Sequence, residues 1–399
     1  MSDFPIKLAE KLTKRERENA LRLLPQRNNL IDFSSNDYLG FAKNQTIYAH
    51  TFQLLLNQGD FQNGATGSRL LTGNHSLYKV LEDILARTYQ TESALVFNSG
   101  YDANLGFFTV VPQRGDLVFF DEYIHASIRD GIDAGMAKGY KFAHNDLEDL
   151  TQVISRVLQQ QSAPPETEIY IVTESVFSMD GDTPNVRALA QFCTSNNYRL
   201  VVDEAHAIGV FGPKGTGLLQ DLELHTQVFA RIITFGKAMG CHGAAIVGST
   251  MLKTYLVNFA RSLIYTTALT PHTIASVISA YEYAIEQGED DRAQLYKNIS
   301  IFKARMLKLG LQDSFIPSDS AIHCCIISGN EKAKKVASQL QENGFNIKPI
   351  LAPTVPLGQE RLRFCLHSYN SKEEIELALE LLGTLNKKFL ETDYPRGKP

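Results

Sequence analysis

Five short apolar runs set the terms for this chain: Ser93–Phe97, Asp116–Asp121, Glu168–Glu174, Arg199–Asp203 and Val228–Phe235. Each has the length of one strand and is apolar on both alternating faces, which fits a sheet covered on both sides. Helical spacing fills the gaps between the runs. In His75–Tyr89, for example, Leu77, Leu81, Ile84 and Leu85 share one face. Strands alternating with helices imply a mostly parallel sheet. In such sheets a ligand sits beyond the carboxyl ends of the strands. The residues just after each run therefore carry the most information about function.

With 399 residues the chain exceeds what one core usually supports, so a large domain plus a smaller one is expected. We divide it into an N-terminal segment (1–50), a large domain (51–280) and a small C-terminal domain (281–399). The first segment opens on a helix expected from Ile6 to Leu24. A linking helix is expected from about Thr273 to Gly288. The C-terminal part reads as α+β: helix, a strand His323–Ile327, a helix Asn330–Gly344, a strand, a strand Arg361–Leu366 and a last helix Ser371–Leu385.

Several functions are disfavoured at this stage. A net charge of -5, with scattered basic residues, gives no electrostatic footprint for nucleic acid. The five cysteines are odd in number and form no CxxC, so neither a disulfide framework nor a zinc ribbon is expected, and a reducing compartment fits best. No apolar run approaches the roughly 18 residues of a membrane span, and the first residues lack a signal-peptide core. The cytoplasm is the expected location. Asp203-Glu204-Ala205-His206 spells the DEAH box of helicases, but the required GxxxxGK[ST] loop is absent: Ala238 follows Gly236-Lys237. His206 has no second ligand at helical spacing, so no metal site is expected.

The polar residues at the run ends form an ordered set. Asn98-Ser99-Gly100-Tyr101 closes one strand and opens a helix, whose free amides suit a phosphate. His125 follows the next strand and could stack on a ring. Asp203 ends a very apolar strand, where its carboxylate can pair with a ring nitrogen. Lys237 follows the fifth run in Gly236-Lys237-Ala238-Met239-Gly240, partly desolvated and so a usable nucleophile and base. Phosphate site, stacking group, acid and lysine are the four demands of pyridoxal 5′-phosphate (PLP). Taken singly, each piece has a plainer reading: Asp203 as a helix cap, Gly-Lys as a surface turn, His125 as a structural histidine. The set in this order favours the cofactor.

At these residues the chain resembles the α-oxoamine synthase family of PLP enzymes. The marks are Ser35-Asn36-Asp37-Tyr38-Leu39-Gly40, Gly67-Ser68-Arg69, Thr72-Gly73-Asn74-His75, Asp121 to Ser127, Thr173 to Asp182, Asp203 to His206 and Thr234 to Lys237. The resemblance implies the fold-type I, aminotransferase-like fold, with a large domain built on a mostly parallel sheet and a smaller C-terminal α+β domain. It implies a homodimer with shared active sites. Lys237 would carry the cofactor covalently, Asp203 would face the ring nitrogen and His125 would stack on the ring. Ser178 and His206 would bond the ring oxygen. Ser99, Gly100, Tyr101 and Thr234 would hold the phosphate, with Thr266 or Thr267 from the neighbouring subunit. Asn36 and Arg363 would handle substrate, Arg363 pairing with the amino-acid carboxylate as a planar guanidinium can.

The implied reaction condenses an amino acid with an acyl-CoA or acyl-carrier-protein thioester, with loss of CO2. Pro353-Thr354-Val355-Pro356, Phe259 to Thr267 and Phe142 to Asp146 most resemble the branch that joins L-alanine to a pimeloyl thioester in biotin synthesis. A sister reaction of the glycine C-acetyltransferase or serine palmitoyltransferase type is the alternative, and a catalytically silent partner subunit is a further one. Cys241-His242 departs from the familiar pattern. A small packing residue is the favoured reading of Cys241.

Overall fold

A computed structural model describes residues 4–22, 24, 29–59, 62–160 and 166–392, with side chains through residue 386. The chain forms two compact units. The larger comprises residues 36–178 and 182–293. The smaller comprises residues 1–35, 179–181 and 294–399.

The larger unit is organised by seven strands: β1 Ser93–Phe97, β2 Leu117–Asp121, β3 Lys138–Phe142, β4 Ile169–Glu174, β5 Arg199–Asp203, β6 Ala230–Thr234 and β7 Ala244–Gly248. Their order in the sheet is β1-β7-β6-β5-β4-β2-β3. Neighbouring strands from β6 to β3 pair in parallel, and only β7 runs against its two neighbours. All five apolar runs are strands here. The two strands without such a run are informative. β3 (Lys-Gly-Tyr-Lys-Phe) is an edge strand, largely exposed, and its lysines suit an edge that must not pair with another chain. β7 (Ala-Ala-Ile-Val-Gly) is buried but built from small residues, so its run looks weak.

Burial explains the sheet's composition. Val172, Val201 and Ile232 are completely buried, and Leu95, Val118 and Ile246 nearly so. At about 1.5–3 kcal/mol for each large apolar side chain removed from water, this layer is the main stabilising element of the unit. The helices Gly100–Phe108 and Ala126–Ala134 pack closely on one another over it. Gly131 permits the approach, because a Cβ there would lie 2.9 Å from Phe108 Cβ and 3.0 Å from Asn104 O.

The smaller unit contains an antiparallel sheet of β8 Ile322–Ile326, β9 Lys348–Ile350 and β10 Arg361–Cys365, in the order β9-β10-β8. Two-residue strands at Ile31 and Phe345 pair in parallel beside it. The helices Asn330–Glu342 and Lys372–Thr392 occupy the expected positions. The first helix stops at Arg17 rather than Leu24, since Asn19 turns to a φ of 51° and cannot continue an α-helix.

Candidate active site

The strand topology brings the carboxyl ends of β1, β2, β4, β5 and β6 to one edge of the sheet. A cavity of about 270 Å³ opens there. Its wall includes nine of the expected site residues: Asn36, Ser99, Gly100, Tyr101, His125, Asp203, His206, Thr234 and Lys237. The first and last of these positions, Asn36 and Lys237, are 201 residues apart in sequence, and only the parallel sheet gathers them. Ser178 is buried in the loop after β4 and stands outside that wall. Thr266 and Thr267 also stand outside it. They are tied to the start of the candidate phosphate loop of the same chain, where Asn98 Nδ2 donates to Thr266 Oγ1 (3.2 Å) and to Thr267 O (2.6 Å). Arg363 belongs to the smaller unit. It is buried on β10, and its Nη1 lies 2.8 Å from Cys365 Sγ.

The candidate phosphate loop is a helix N-terminus. Ser99 caps the helix Gly100–Phe108, accepting the Asp102 amide at 3.1 Å and donating its hydroxyl to Asp102 Oδ2 at 2.8 Å. The amides of Gly100 and Tyr101 open the first turn, where N–H groups lack intrahelical partners. Glycine at position 100 leaves room for Thr234, since a Cβ there would meet Thr234 Cγ2 at 2.8 Å. Thr234 Oγ1 is buried and has no partner among the described residues. An orphaned donor beside free amides is the local signature of an anion site. Tyr101 is half exposed, and its hydroxyl donates to Asp130 Oδ2 at 2.5 Å.

Lys237 follows β6 in a tight turn. Gly240 takes a φ of 64°, and a Cβ there would come within 2.2 Å of Ala42 N, so this glycine is obligatory. Gly236 is not under the same constraint, since its missing side chain faces open space beyond Cys241 O at 3.6 Å. Cys241 lies against Ser276, and burial raises its thiol to about 11, which leaves it an inert packing group. His242 is exposed at the cavity wall.

Four polar wall residues were given no role from the sequence, although Ser127 and Glu174 fall inside the quoted motifs: Asn104, Ser127, Glu174 and His242. Glu174 ends β4 in register with Asp203 on β5, so two carboxyls stand side by side. Burial first, and then the charge of Asp203, hold the Glu174 carboxyl well above the usual range, against the pull of Lys237. Its Oε1 accepts the His125 amide at 2.6 Å and so fixes the loop that carries the imidazole. Burial lowers His125, and Lys237 adds to that effect while Asp203 opposes it. Asp203 Oδ1 accepts the Ala205 amide at 2.9 Å. His206 Nδ1 pairs with the hydroxyl of Tyr38 at 2.7 Å, and the same hydroxyl reaches Asn36 Oδ1 at 3.2 Å. Among the described residues no cluster of His, Cys, Asp and Glu has the makings of a metal site, and no helix is long and apolar enough to cross a membrane.

Comparison with known proteins defines the class. Residues 28–382 match the family model for aminotransferase class I and II. An 8-amino-7-oxononanoate synthase from Emericella nidulans is 38% identical over 397 residues, covering 94% of each chain. A serine palmitoyltransferase solved as its PLP internal aldimine superposes with a TM-score of 0.85 at 25% identity, covering 96% of this chain and 97% of the other. An 8-amino-7-oxononanoate synthase from Francisella tularensis gives 0.74 at 28% identity, over 91% and 100%. The chain belongs to the aminotransferase class I and II family, with the fold of the type I PLP-dependent transferases. Within that family it is one of the α-oxoamine synthases.

Proposed function

We propose that this protein joins L-alanine to a pimeloyl thioester, releasing CO2 and the thiol carrier and forming 8-amino-7-oxononanoate for biotin synthesis, with PLP on Lys237. The observation that carries the chemistry is the meeting of Lys237, Asp203 and His125 in one cavity at the sheet's carboxyl edge. The 38% identity to the Emericella nidulans enzyme supports the choice of substrates.

The residues fit the cofactor. The Gly100 and Tyr101 amides and the orphaned Thr234 hydroxyl suit its phosphate, and Asp203 suits its ring nitrogen. Bound there, PLP supplies an electron sink that makes the α-carbon of an amino acid acidic. The chain's own residues do the rest. Lys237 Nζ, in the cavity wall, would take and return the α-proton. Asp203 keeps the ring nitrogen charged. His125 covers one face of the site and limits water there. His206, held by Tyr38, would bond the ring oxygen, assisted by Ser178. Asn36, in the cavity wall, would receive the amino acid.

We further assign a homodimer in the cytoplasm. Leu71, Tyr265, Phe259 and Leu70 are exposed to 81%, 72%, 53% and 50%, as apolar groups awaiting a partner surface would be. Thr266 or Thr267 would then serve the neighbouring site. All five cysteines are free thiols, which suits a reducing compartment.

A sister activity is the second reading, favoured by the higher TM-score to serine palmitoyltransferase. The deciding experiment offers alanine, glycine and serine, each with pimeloyl-, acetyl- and palmitoyl-CoA, to the protein with PLP and follows free CoA. Release with alanine and pimeloyl-CoA alone is expected. Release with another pair would move the enzyme to a sister reaction, and a protein that takes up no PLP would overturn the proposal.

A further inference from the structure

Asn104 and Ser127 lie on the two helices that Gly131 brings together, and both are buried in the cavity wall. Asn104 Nδ2 donates to Asp203 Oδ2 at 2.9 Å and to Ser127 Oγ at 3.0 Å. Its amide nitrogen must face Asp203, because a carboxylate only accepts. Both protons of that amide are then used, and Oδ1 has no partner among the described residues. Ser127 Oγ, already accepting from Asn104, has its own proton free. It lies 2.7 Å from His125 Nδ1. The Ser127 backbone amide also points at Nδ1, at 3.2 Å, and an N–H can only donate. Two donors therefore converge on Nδ1, which can hold no proton of its own.

We propose that Asn104 and Ser127 are positioning residues that link Asp203 to His125 through one directed chain of hydrogen bonds, and so hold His125 as the tautomer protonated only on Nε2. Every link has a fixed direction: Asn104 to Asp203, Asn104 to Ser127, Ser127 to His125. The consequence for the site is specific. His125 presents a neutral ring with a single N–H, on Nε2, and is barred from acting as a base through Nδ1. The groups that bear on its charge are Asp203 and Lys237 at the neighbouring strand ends, Asp130 on its own helix and Glu174, which accepts its amide. Burial and Lys237 both disfavour a second proton, in keeping with the two donors at Nδ1. The chain also ties the carboxylate to the imidazole, so that the helix Gly100–Phe108 sets both in one geometry. This inference rests on the functional reading above only for its catalytic meaning. The hydrogen bonds are those of the chain itself.

The test is nitrogen NMR of protein labelled with ¹⁵N-histidine, with and without PLP, using His125→Asn to assign the signal. The wild type should show an unprotonated, hydrogen-bonded Nδ1 and a protonated Nε2 between pH 6 and 8. A protonated Nδ1 would overturn the proposal, and this result depends on no variant folding. Ser127→Ala removes one of the two donors to Nδ1 and keeps the backbone amide, so Nε2 should stay the protonated nitrogen while the second protonation moves to higher pH. Ser127→Thr, which keeps the hydroxyl, should restore the wild-type signal. If Ser127→Ala left the second protonation of His125 unchanged, the chain of bonds would be idle and the proposal wrong. Turnover in Ser127→Ala should fall by roughly 10- to 100-fold, the effect of a misplaced group near the chemistry. Failure to bind PLP would count against the functional reading alone, since the histidine signals judge the link in either state.

Discussion

Asp203 and Glu204 are adjacent in sequence, yet they serve opposite ends. Asp203 faces the cavity and is tied to Asn104 and Ala205. Glu204 is fully buried against Arg231, whose Nε donates to Oε2 at 2.6 Å and whose side chain is also completely buried. Around that pair, Glu204 Oε1 accepts the Leu219 amide, Arg231 donates to Thr216 O, and Tyr89 lies 5.0 Å from the guanidinium. One carboxylate stays available for a ligand, and the other is locked into a closed ionic core. The helicase-like spelling of this tetrapeptide thus divides into a site acid and a structural acid. The two histidines after β2 and β3 repeat the contrast. His125 is lowered and open to the cavity. His144 is clamped between Asp121 and Asp182, both at 2.9 Å. Burial alone would lower His144, but the two hydrogen-bonded carboxylates raise it to about 10.

This comparison can be broken experimentally, beginning with the largest effect. Lys237→Ala should lower turnover by on the order of 10³-fold or more while the fold is kept, since the site loses its base and its covalent anchor. A near-normal rate would end the assignment of the cavity. The next pair tests the two acids. Glu204→Gln should lower stability by about 3–5 kcal/mol, because it strands a buried Arg231. Asp203→Asn should hold its melting temperature within a few degrees but lose about 10²-fold in turnover. Denaturant unfolding and steady-state rates on both variants read this, and the reverse pattern would exchange the roles.

His144 offers a pH-dependent effect. Its folded pKa lies above the ordinary 6.5, so its contribution is complete below about pH 6.5 and is lost as pH rises towards 10. The two charge-assisted bonds should be worth about 1.5–3 kcal/mol each. The stability gap between the wild type and His144→Gln should therefore narrow between pH 6.5 and 10. A gap that widened over this window would refute the clamp. Last, Cys241→Ala should change stability by less than about 1 kcal/mol and leave turnover intact, as a packing thiol implies. A large loss of activity would bring Cys241 into the chemistry.

The sequence made much of this site legible because strand-end chemistry leaves local marks. Asp203, Lys237, His125 and the Ser99 loop each follow an apolar run, and the run alone locates the edge of the sheet. Asn104 and Ser127 left no such mark. A polar residue in the helix Gly100–Phe108 looks like a surface position until the neighbouring helix closes over it at Gly131. Glu174 reads as the end of a strand, and only the register with Asp203 makes it a second carboxyl at the site. β3 and β7 were silent for related reasons, one being an exposed edge and the other lined with small residues.

By itself the sequence determined five of the seven strands of the large sheet, their mostly parallel arrangement and the family, because periodicity and motif spacing are local properties of a chain. The tertiary structure alone decided which acid faces the cavity, which histidine is lowered and which raised, and which hydrogen bonds link them. Those outcomes depend on burial and on the direction of donors, and both arise only when distant segments meet.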